Sequence, residues 1–235
     1  LYMKWQYACN HADRIICISE CTKRDVLDFY NVPERKVDVV YQPVNPIYYE
    51  PIEREEVSPY MLYVGSINSR KNLLGIVKAM ELMPKDLQLP LVVVGGGGSY
   101  KNEVKKYIAE KGMEDRFVWP EMVFSTELKR LYANAQLMVY PSFYEGFGLP
   151  VVEAQLCGCP VVTSNVSSLP EAGGPWAQQA DPNSPEDICE KMVKLLTDSE
   201  LRQKAIEGGR QYAAETFDPR RLARQLMGIY EKVRL

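Results

Sequence analysis

Residues 141–164 read PSFYEGFGLPVVEAQLCGCPVVTS and decide the fold. The apolar run LMVYPS predicts a strand, and the glycine-containing loop FYEGFGL follows it. Pro150 suits the first turn of a helix over 150–157, and Gly158 suits the position after its C-terminus. The apolar run over 160–164 predicts the next strand. A strand, a helix and a strand in this order are typical of a parallel sheet in an α/β protein.

The same alternation continues on both sides of this segment. Strands are predicted over 14–19, 37–41, 60–64, 91–94 and 116–119, and helices over 23–30, 71–82, 102–111 and 125–133, the last capped by Ser125. Three further helical stretches end the chain, one beginning at Ser184 and the last at Asp218. The sequence therefore predicts an α/β fold with a largely parallel sheet.

A proline-rich passage divides the chain. The residues QPVNPIYYEPIEREEVSP contain four prolines, which predicts irregular backbone and an inter-domain linker. The chain is accordingly divided into a first unit over 1–45, a linker over 46–59, a larger unit over 60–217 and a final helix over 218–235.

Composition excludes several classes of function. The 235 residues are 46% hydrophobic and 25% charged with a net charge of -3, so nothing global attracts nucleic acid or an anionic membrane. No apolar run is long enough to span a membrane. Six cysteines without a C-x-x-C pair, beside the single His11, predict buried free thiols in a reducing compartment rather than disulfides or a zinc site. Because residue 1 is not Met and no signal peptide follows, we expect a piece of a longer cytoplasmic protein.

Two cations mark a candidate anion site. Arg70 and Lys71 stand where the helix over 71–82 begins, and cations there are unfavourable unless an anion faces them. A phosphate would satisfy both side chains and the free helix amides. The alternative is a solvated charged helix end. The glycine run 95–98 fails both phosphate-loop patterns, so a flexible turn remains the simpler interpretation.

The second candidate is a pair of glutamates in the segment EGFGLPVVE. Glu145 lies in a loop at the carboxyl end of a strand, the edge where open α/β sheets bind ligands. Gly146 and Gly148 leave backbone amides uncovered before a helix. Glu153 is predicted in the first turn of that helix, where it could accept hydrogen bonds from a ribose diol. The alternative is that Glu145 is an ordinary acid of a loop and that Glu153 is a partner of the helix dipole.

Together these residues resemble the retaining glycosyltransferases of family 4, which have the two-Rossmann-domain GT-B fold. The resemblance is carried by VGSINSRKN, by PSFYEGFGLPVVEAQLCGCPVVTSNVSSLPE and by DPNSPEDICEKMVKLL. It implies that 60–217 is the nucleotide-sugar-binding C-terminal domain, Rossmann-like with helices on both faces. Residues 1–45 would then be a remnant of the N-terminal, acceptor-side domain, and the final helix would cross back toward it.

The resemblance also implies roles for the residues. Arg70 and Lys71 would contact the donor phosphates, Glu145 would lie beside the transferred sugar at the anomeric centre, and Glu153 would hold the ribose hydroxyls. The other donor-binding residues that it implies are Ser66, Val123, Gly146, Phe147, Gly148 and Leu149. No metal or other cofactor is expected, because cations and helix dipoles neutralise the leaving diphosphate.

The function so implied is transfer of a hexose, with mannose as one candidate, from a UDP- or GDP-linked donor to a glycan or lipid-linked acceptor. Polysaccharide assembly at the inner face of a membrane is one setting, with peripheral attachment through the missing part of the N-terminal domain. Two alternatives stay open: a nucleotide-sugar epimerase of the same fold and a non-catalytic nucleotide-binding module. The 235 residues alone are expected to be inactive.

Overall fold

The computed structural model describes residues 2–233, and the chain begins with a small unit of two helices and two strands. In chain order these are α1 (Tyr2–His11), β1 (Ile15–Cys17), α2 (Glu20–Phe29) and β2 (Val37–Val39). The two strands pair in parallel. β1 is shorter than predicted because Ser19 already caps α2: its Oγ accepts a hydrogen bond from the backbone N–H of Thr22 at 3.0 Å.

The larger unit is a parallel sheet with helices on both faces. Its strands are β3 (Met61–Val64), β4 (Leu91–Val94), β5 (Phe117–Val118), β6 (Leu137–Tyr140), β7 (Val161–Ser164) and β8 (Gln178–Ala180). Its helices are α3 (Leu73–Leu82), α4 (Ser99–Glu110), α5 (Ser125–Asn134), α6 (Leu149–Leu156), α7 (Leu169–Gly173), α8 (Pro185–Thr197) and α9 (Ser199–Thr216). The strands lie in the order β5-β4-β3-β6-β7-β8. The predicted α/β architecture is confirmed.

In the larger unit, local sequence reasoning missed two elements and one cap. β8 carries two glutamines and α7 is five residues long, so neither shows a clear apolar period. α5 begins at Ser125, but its N-cap is Phe124, whose carbonyl accepts the first helical bond from the backbone N–H of Leu128 at 2.8 Å. The predicted capping role of Ser125 is therefore wrong, because that residue already lies inside the helix.

Each face of the sheet packs against its own hydrophobic core. Along β3, Leu62 and Val64 point to one core and Met61 and Tyr63 to the other, as the two-residue period of a strand requires. The first core includes residues of α6 and α9, and the second includes residues of α3 and α8. Because both faces are covered, the ends of the strands are where the sheet is open to a ligand.

The linker contains more structure than its prolines predicted. A turn of 3₁₀-helix spans Pro46–Tyr49, with the side chain of Asn45 accepting a hydrogen bond from the backbone N–H of Ile47 at 3.1 Å. Tyr48 is buried and packs edge-to-face on Tyr132, with 5.9 Å between ring centroids. The expectation of wholly irregular backbone over 46–59 is thus wrong at this turn, which anchors the passage to the larger unit.

The final helix, α10 (Pro219–Val233), returns to the first unit. Its Leu222 and Ile229 are buried in the same hydrophobic cluster as Val40, which follows β2. The last two residues of the stretch predicted over 218–235 lie outside the described residues. α10 therefore packs beside the small two-stranded sheet.

The remaining compositional predictions concern thiols, metals and membranes. All six cysteines are buried free thiols, as predicted. Residues 2–233 contain no cluster of potential metal ligands. None of the helices in that range has the length and apolar character needed to cross a bilayer.

Candidate active site

The candidate site lies where the strand order of the large sheet reverses. β3 and β6 are parallel neighbours, and the chain proceeds from β3 toward one edge of the sheet and from β6 toward the other. Loops after two such strands diverge and leave a crevice at their carboxyl ends, which is the ligand site of open α/β sheets. Arg70 and Lys71 follow β3, and Glu145 follows β6. The fold thus brings Glu145 together with Arg70 and Lys71, which precede it by 75 and 74 residues in the sequence.

The two cations do not occupy the first turn of an α-helix, as the sequence predicted. Ser69–Lys71 form a 3₁₀ turn, and α3 begins only at Leu73. Asn72 separates the two elements with a left-handed backbone, φ 57°. The reason is a pair of successive caps: the side chain of Asn68 accepts from the backbone N–H of Lys71, and that of Asn72 accepts from Gly75.

The anion that faces both cations is Glu145. Its Oε2 lies 2.8 Å from a guanidinium nitrogen of Arg70, and its Oε1 lies 3.1 Å from Nζ of Lys71. Arg70 also donates a hydrogen bond to the backbone carbonyl of Tyr144. The candidate phosphate site and the glutamate expected beside the transferred sugar, predicted from separate motifs, are therefore one ion-paired cluster.

The three charged side chains of the cluster differ in their exposure to solvent. The side chains of Glu145 and Lys71 are each 11% exposed, whereas that of Arg70 is 44% exposed. Burial alone would raise the pKa of Glu145, but hydrogen bonds and charge from Arg70 and Lys71 outweigh it and hold the pKa below its ordinary value of 4.5. Glu145 is therefore a carboxylate at neutral pH, and Arg70 is the member of the cluster that is open to an incoming anion.

Tyr140, at the end of β6, completes the cluster and was missed by sequence reasoning. Its hydroxyl donates to Oε1 of Glu145 at 3.0 Å and contacts Nζ of Lys71. The Lys71 ammonium also lies 4.8 Å from the centre of the Tyr140 ring. Tyr140 reads as an ordinary apolar residue of a buried strand, so no local signal marks its hydroxyl as part of a site.

The loop that carries Glu145 is fixed by two serines that precede α7. The hydroxyl of Ser168 lies 2.8 and 2.9 Å from the backbone carbonyl oxygens of Glu145 and Phe147, and its one proton is shared between these two acceptors. The backbone N–H of Glu145 donates to the hydroxyl of Ser167 at 3.1 Å. Gly148 has φ +112°, and a Cβ there would lie 2.7 Å from a methyl carbon of Leu169. The loop is thus preorganised by its own buried contacts.

Glu153 lies in the second turn of α6, not in the first as predicted. α6 begins at Leu149, with Gly148 as its N-cap, so Glu153 is the fifth helical residue, beyond the reach of the dipole of the first turn. Its Oε2 accepts a hydrogen bond from the hydroxyl of Tyr132 at 3.0 Å. Burial raises the pKa of Glu153, and this hydrogen bond opposes the rise only in part. A partly buried carboxylate with one side-chain donor can accept further hydrogen bonds from a hydroxyl-bearing ligand.

The other predicted donor-binding residues differ in their surroundings. Ser66 is exposed after β3, and its hydroxyl accepts from the side-chain amide of Asn68 at 3.1 Å. Val123 is half-buried in the loop before α5. Phe147 packs in the core against Tyr41, with 5.4 Å between ring centroids, so its backbone rather than its ring is available to a ligand. Gly146 and Leu149 are half-buried.

Comparison with known proteins decides the family. Residues 48–212 match the family model described as glycosyl transferases group 1. The chain belongs to this family. Residues 1–47 match a second model, described as Glycosyltransferase Family 4. The two matches together cover the first unit, the linker and most of the larger unit of this group 1 glycosyltransferase.

Its similarity extends to curated mannosyltransferases. O-antigen chain mannosyltransferase B of Escherichia coli is 33% identical over 211 residues, which are 84% of this chain and 55% of the relative. The MMP alpha-(1->4)-mannosyltransferase of Mycolicibacterium hassiacum is 30% identical over 224 residues, which are 93% of this chain and 54% of the relative. The chain thus spans just over half the length of both relatives.

Solved structures show the same fold. Anabaena HepE in complex with UDP and glucose superposes with a TM-score of 0.85 at 18% identity, over 99% of this chain and 68% of that one. Sucrose-phosphate synthase from Thermosynechococcus elongatus superposes with a TM-score of 0.84 at 22% identity, over 99% of this chain and 61% of that one. At this identity the likeness establishes the GT-B architecture.

In this group 1 glycosyltransferase the first unit contacts the loop that carries Glu145, residues 141–148, which is called the site loop below. The hydroxyls of Ser19 and Thr22 donate to the backbone carbonyl of Gly146 at 2.7 and 3.2 Å. The carboxylate of Glu171 accepts the backbone N–H groups of Glu20 and Cys21 at 2.7 and 2.8 Å, and so caps α2 across the gap between the units. Sequence reasoning singled out none of these contacts, since they join residues more than 120 positions apart.

Proposed function

We propose that this chain is the nucleotide-sugar-binding portion of a retaining glycosyltransferase of family 4, which moves a hexose from a UDP- or GDP-linked donor to a glycan or lipid-linked acceptor. Mannose is the first sugar to test, because the curated relatives named above are mannosyltransferases. Their names do not favour the epimerase alternative. The observation that carries the proposal is the Arg70–Glu145–Lys71 cluster at the point where the strand order reverses.

The cluster has the charges that the reaction requires. In the transfer, the bond between the anomeric carbon and the diphosphate oxygen breaks, and a bond to the acceptor oxygen forms. The diphosphate leaves with the electron pair of the broken bond, and its departing oxygen takes up the proton that the acceptor hydroxyl loses. Arg70 and Lys71 supply the positive charge that stabilises this leaving group, the task that a divalent cation performs in other transferases. The ionised Glu145 supplies the negative charge that stabilises the developing positive charge on the sugar.

Glu153 has a different role in the proposal. Its partly buried carboxylate, with one hydrogen bond from Tyr132, is suited to accept two hydroxyls of a ribose. Such bonds form in the ground state and persist in the transition state, so they contribute to binding rather than to the chemical step. Substitution of Glu145 is therefore expected to change mainly kcat, and substitution of Glu153 mainly the donor KM.

The test measures steady-state transfer in the longest natural chain that contains these 235 residues. Glu145→Gln is expected to lower kcat about a hundredfold or more with little change in donor KM, as loss of one electrostatic stabiliser does. Glu153→Gln is expected to raise donor KM mainly. Glu110→Gln, an exposed residue of α4, is the control and should change neither. The reverse pattern for the two site glutamates would refute these roles.

We also propose that the 235 residues alone bind donor without transferring sugar. The chain spans 55% of O-antigen chain mannosyltransferase B, and the described part of its first unit, residues 2–45, contains two strands, β1 and β2. Transfer needs an acceptor held against the anomeric carbon in a closed cleft. Incubation with labelled nucleotide sugars and glycan acceptors is expected to yield no glycoside. Formation at about 1 s⁻¹ or faster, an ordinary enzymatic rate, would contradict this.

A further inference from the structure

The carboxylate of Glu145 has three side-chain partners, and two of them are the cations assigned to the donor phosphates. Oε2 takes Arg70 at 2.8 Å, and Oε1 takes Lys71 at 3.1 Å and the hydroxyl of Tyr140 at 3.0 Å. Lys71 also contacts that hydroxyl, so the ammonium, the phenol and Oε1 form a closed triangle. Tyr140 is 1% exposed at the end of a central strand.

A diphosphate entering the crevice would compete with Glu145 for both cations. Arg70 is long, flexible and 44% exposed, so it can turn toward the phosphates, and Lys71 would share its charge between phosphate and carboxylate. Tyr140 differs from both. It carries no charge to be drawn away, and its ring is buried in the hydrophobic core on one face of the sheet. Burial, the charge of Glu145 and their hydrogen bond all raise the pKa of Tyr140, so the hydroxyl remains a donor throughout the working range of pH.

We propose that Tyr140 is the positioning residue of Glu145: its hydroxyl keeps the carboxylate in place and ionised while a donor diphosphate occupies Arg70 and Lys71. The inference rests on the proposed function for the identity of the anion. The inference adds that the carboxylate of Glu145 keeps a hydrogen bond from a neutral hydroxyl, which the donor phosphates do not attract as they attract the two cations.

The titratable groups around Glu145 make the proposal measurable. Arg70 and Lys71 face it from the 3₁₀ turn, Tyr140 from β6 and Tyr63 from β3. Tyr63 is buried, its pKa is raised chiefly by that burial, and its hydroxyl donates to the carbonyl of Ser66 at 3.2 Å instead. Removing the hydroxyl of Tyr140 removes a donor to the charged form of Glu145, so the pKa of Glu145 must rise.

The experiment follows the carboxyl carbon of Glu145 by ¹³C NMR in the glutamate-labelled chain, with Glu145→Gln for assignment. The pH titration is recorded for the wild type, Tyr140→Phe and Tyr60→Phe, each free and saturated with UDP or GDP. Tyr60→Phe is the matched control, because it deletes a hydroxyl that donates to the carbonyl of Leu131 at 2.8 Å, away from the cluster. Thermal unfolding of each variant confirms that it folds.

Tyr140→Phe is expected to raise the pKa of Glu145, and to raise it more with nucleotide bound than without. Tyr60→Phe is expected to leave it unchanged. An unchanged pKa in the nucleotide-saturated Tyr140→Phe chain, or an equal rise in Tyr60→Phe, would overturn the role of Tyr140. Failure of both nucleotides to bind the wild type would overturn the proposed function instead, so the two failures are distinguishable.

A kinetic measurement in the longest natural chain gives an independent readout. Tyr140→Phe is expected to lower kcat about tenfold or more, the usual value of a hydrogen bond to a charged group, with donor KM changed less than about twofold. The acid limb of its kcat profile should move to higher pH. In a Glu145→Gln background the same substitution should have little further effect. Equal losses in both backgrounds would show a structural role and overturn the proposal.

Discussion

At the scale of single residues, two glutamates of one motif occupy opposite electrostatic surroundings. Glu145 is buried beside two cations and has a lowered pKa, whereas Glu153 is partly buried beside a neutral tyrosine and has a raised pKa. The sequence identified both residues, because their glycine-rich frame is specific. It could not predict this difference, which depends on partners from the 3₁₀ turn Ser69–Lys71, from β6 and from α5. The same limit hid Tyr140 and Tyr132.

The two cations are expected to carry nucleotide affinity. Arg70→Ala and Lys71→Ala should each weaken UDP or GDP binding by about 1.5–3 kcal/mol, the value of a charge-assisted contact to phosphate. Isothermal titration calorimetry of the 235-residue chain measures this. Lys78→Ala, which removes an exposed cation of α3, controls for general charge and should have little effect. Unchanged affinity in both site variants would contradict the assignment of the phosphate site.

Glu153 is expected to cost stability in the unliganded chain at neutral pH. An acid whose pKa is raised by folding binds protons more tightly when folded, so stability falls as pH rises from the ordinary value of 4.5 through the raised value. Glu153→Gln removes this penalty. Its melting temperature by calorimetry should therefore exceed that of the wild type at neutral pH, and the difference should vanish below the ordinary pKa.

Glu145→Gln supplies the matched control with the opposite sign. Because folding lowers the pKa of Glu145, its ion pairs stabilise the chain above the ordinary value of 4.5, and this contribution is lost as pH falls through the lowered value. Glu145→Gln should therefore melt below the wild type at neutral pH. Shifts of the same sign in both variants would contradict the surroundings described for one of the glutamates.

At the scale of elements, sequence patterns placed most strands and helices but not the turns that shape the site. The apolar runs of β3, β4, β6 and β7 are strong because buried parallel strands are continuously hydrophobic. The turn Ser69–Lys71 was merged with α3, because Asn68 and Asn72 are both plausible caps and local propensity cannot show that both are used. β8 was not predicted, because two of its three residues are glutamines and it has no apolar pattern.

Gly148, between the site loop and α6, is expected to tolerate no side chain. Gly148→Ala would force a non-glycine residue to φ +112° and place its Cβ 2.7 Å from Leu169. We expect a loss of about 2–4 kcal/mol in the free energy of unfolding, measured by urea denaturation. Gly112→Ala is the matched control: Gly112 also has positive φ, +62°, but nothing lies within 4 Å, so its loss should be smaller. Equal losses would show that packing against α7 contributes nothing.

At the scale of the whole molecule, the order of the strands creates the site and the first unit covers part of it. The reversal between β3 and β6 could be expected from the alternating pattern, since parallel sheets of this class share it. The docking of α2 beside the site loop could not be predicted. It depends on hydrogen bonds from the amides of Glu20 and Cys21 to Glu171, which lies about 150 residues further along the chain. Long-range capping of this kind leaves no local trace.

Glu171 is expected to hold the first unit against the site. Glu171→Ala removes the acceptor of the first amides of α2, and loss of such a cap typically costs about 1–2 kcal/mol. Hydrogen exchange of the Glu20 and Cys21 amides should then quicken roughly 5–30-fold, while the amides of β3 and β6 keep their protection. Glu34→Ala is the control, because it deletes the exposed carboxylate that forms an ion pair with Lys23 of α2. Unaltered exchange in Glu171→Ala would show that other contacts hold the units together.

The central claim is that a nucleoside diphosphate binds at the carboxyl ends of β3 and β6. The most direct measurement is a titration of the ¹⁵N-labelled 235-residue chain with UDP and with GDP, followed by amide chemical shifts. The largest changes should fall on 66–72 and 145–149, with Val123 also affected, and Arg70→Ala should require a much higher nucleotide concentration to reach them. Binding that leaves these amides unshifted, or no binding by either nucleotide, would contradict the claim.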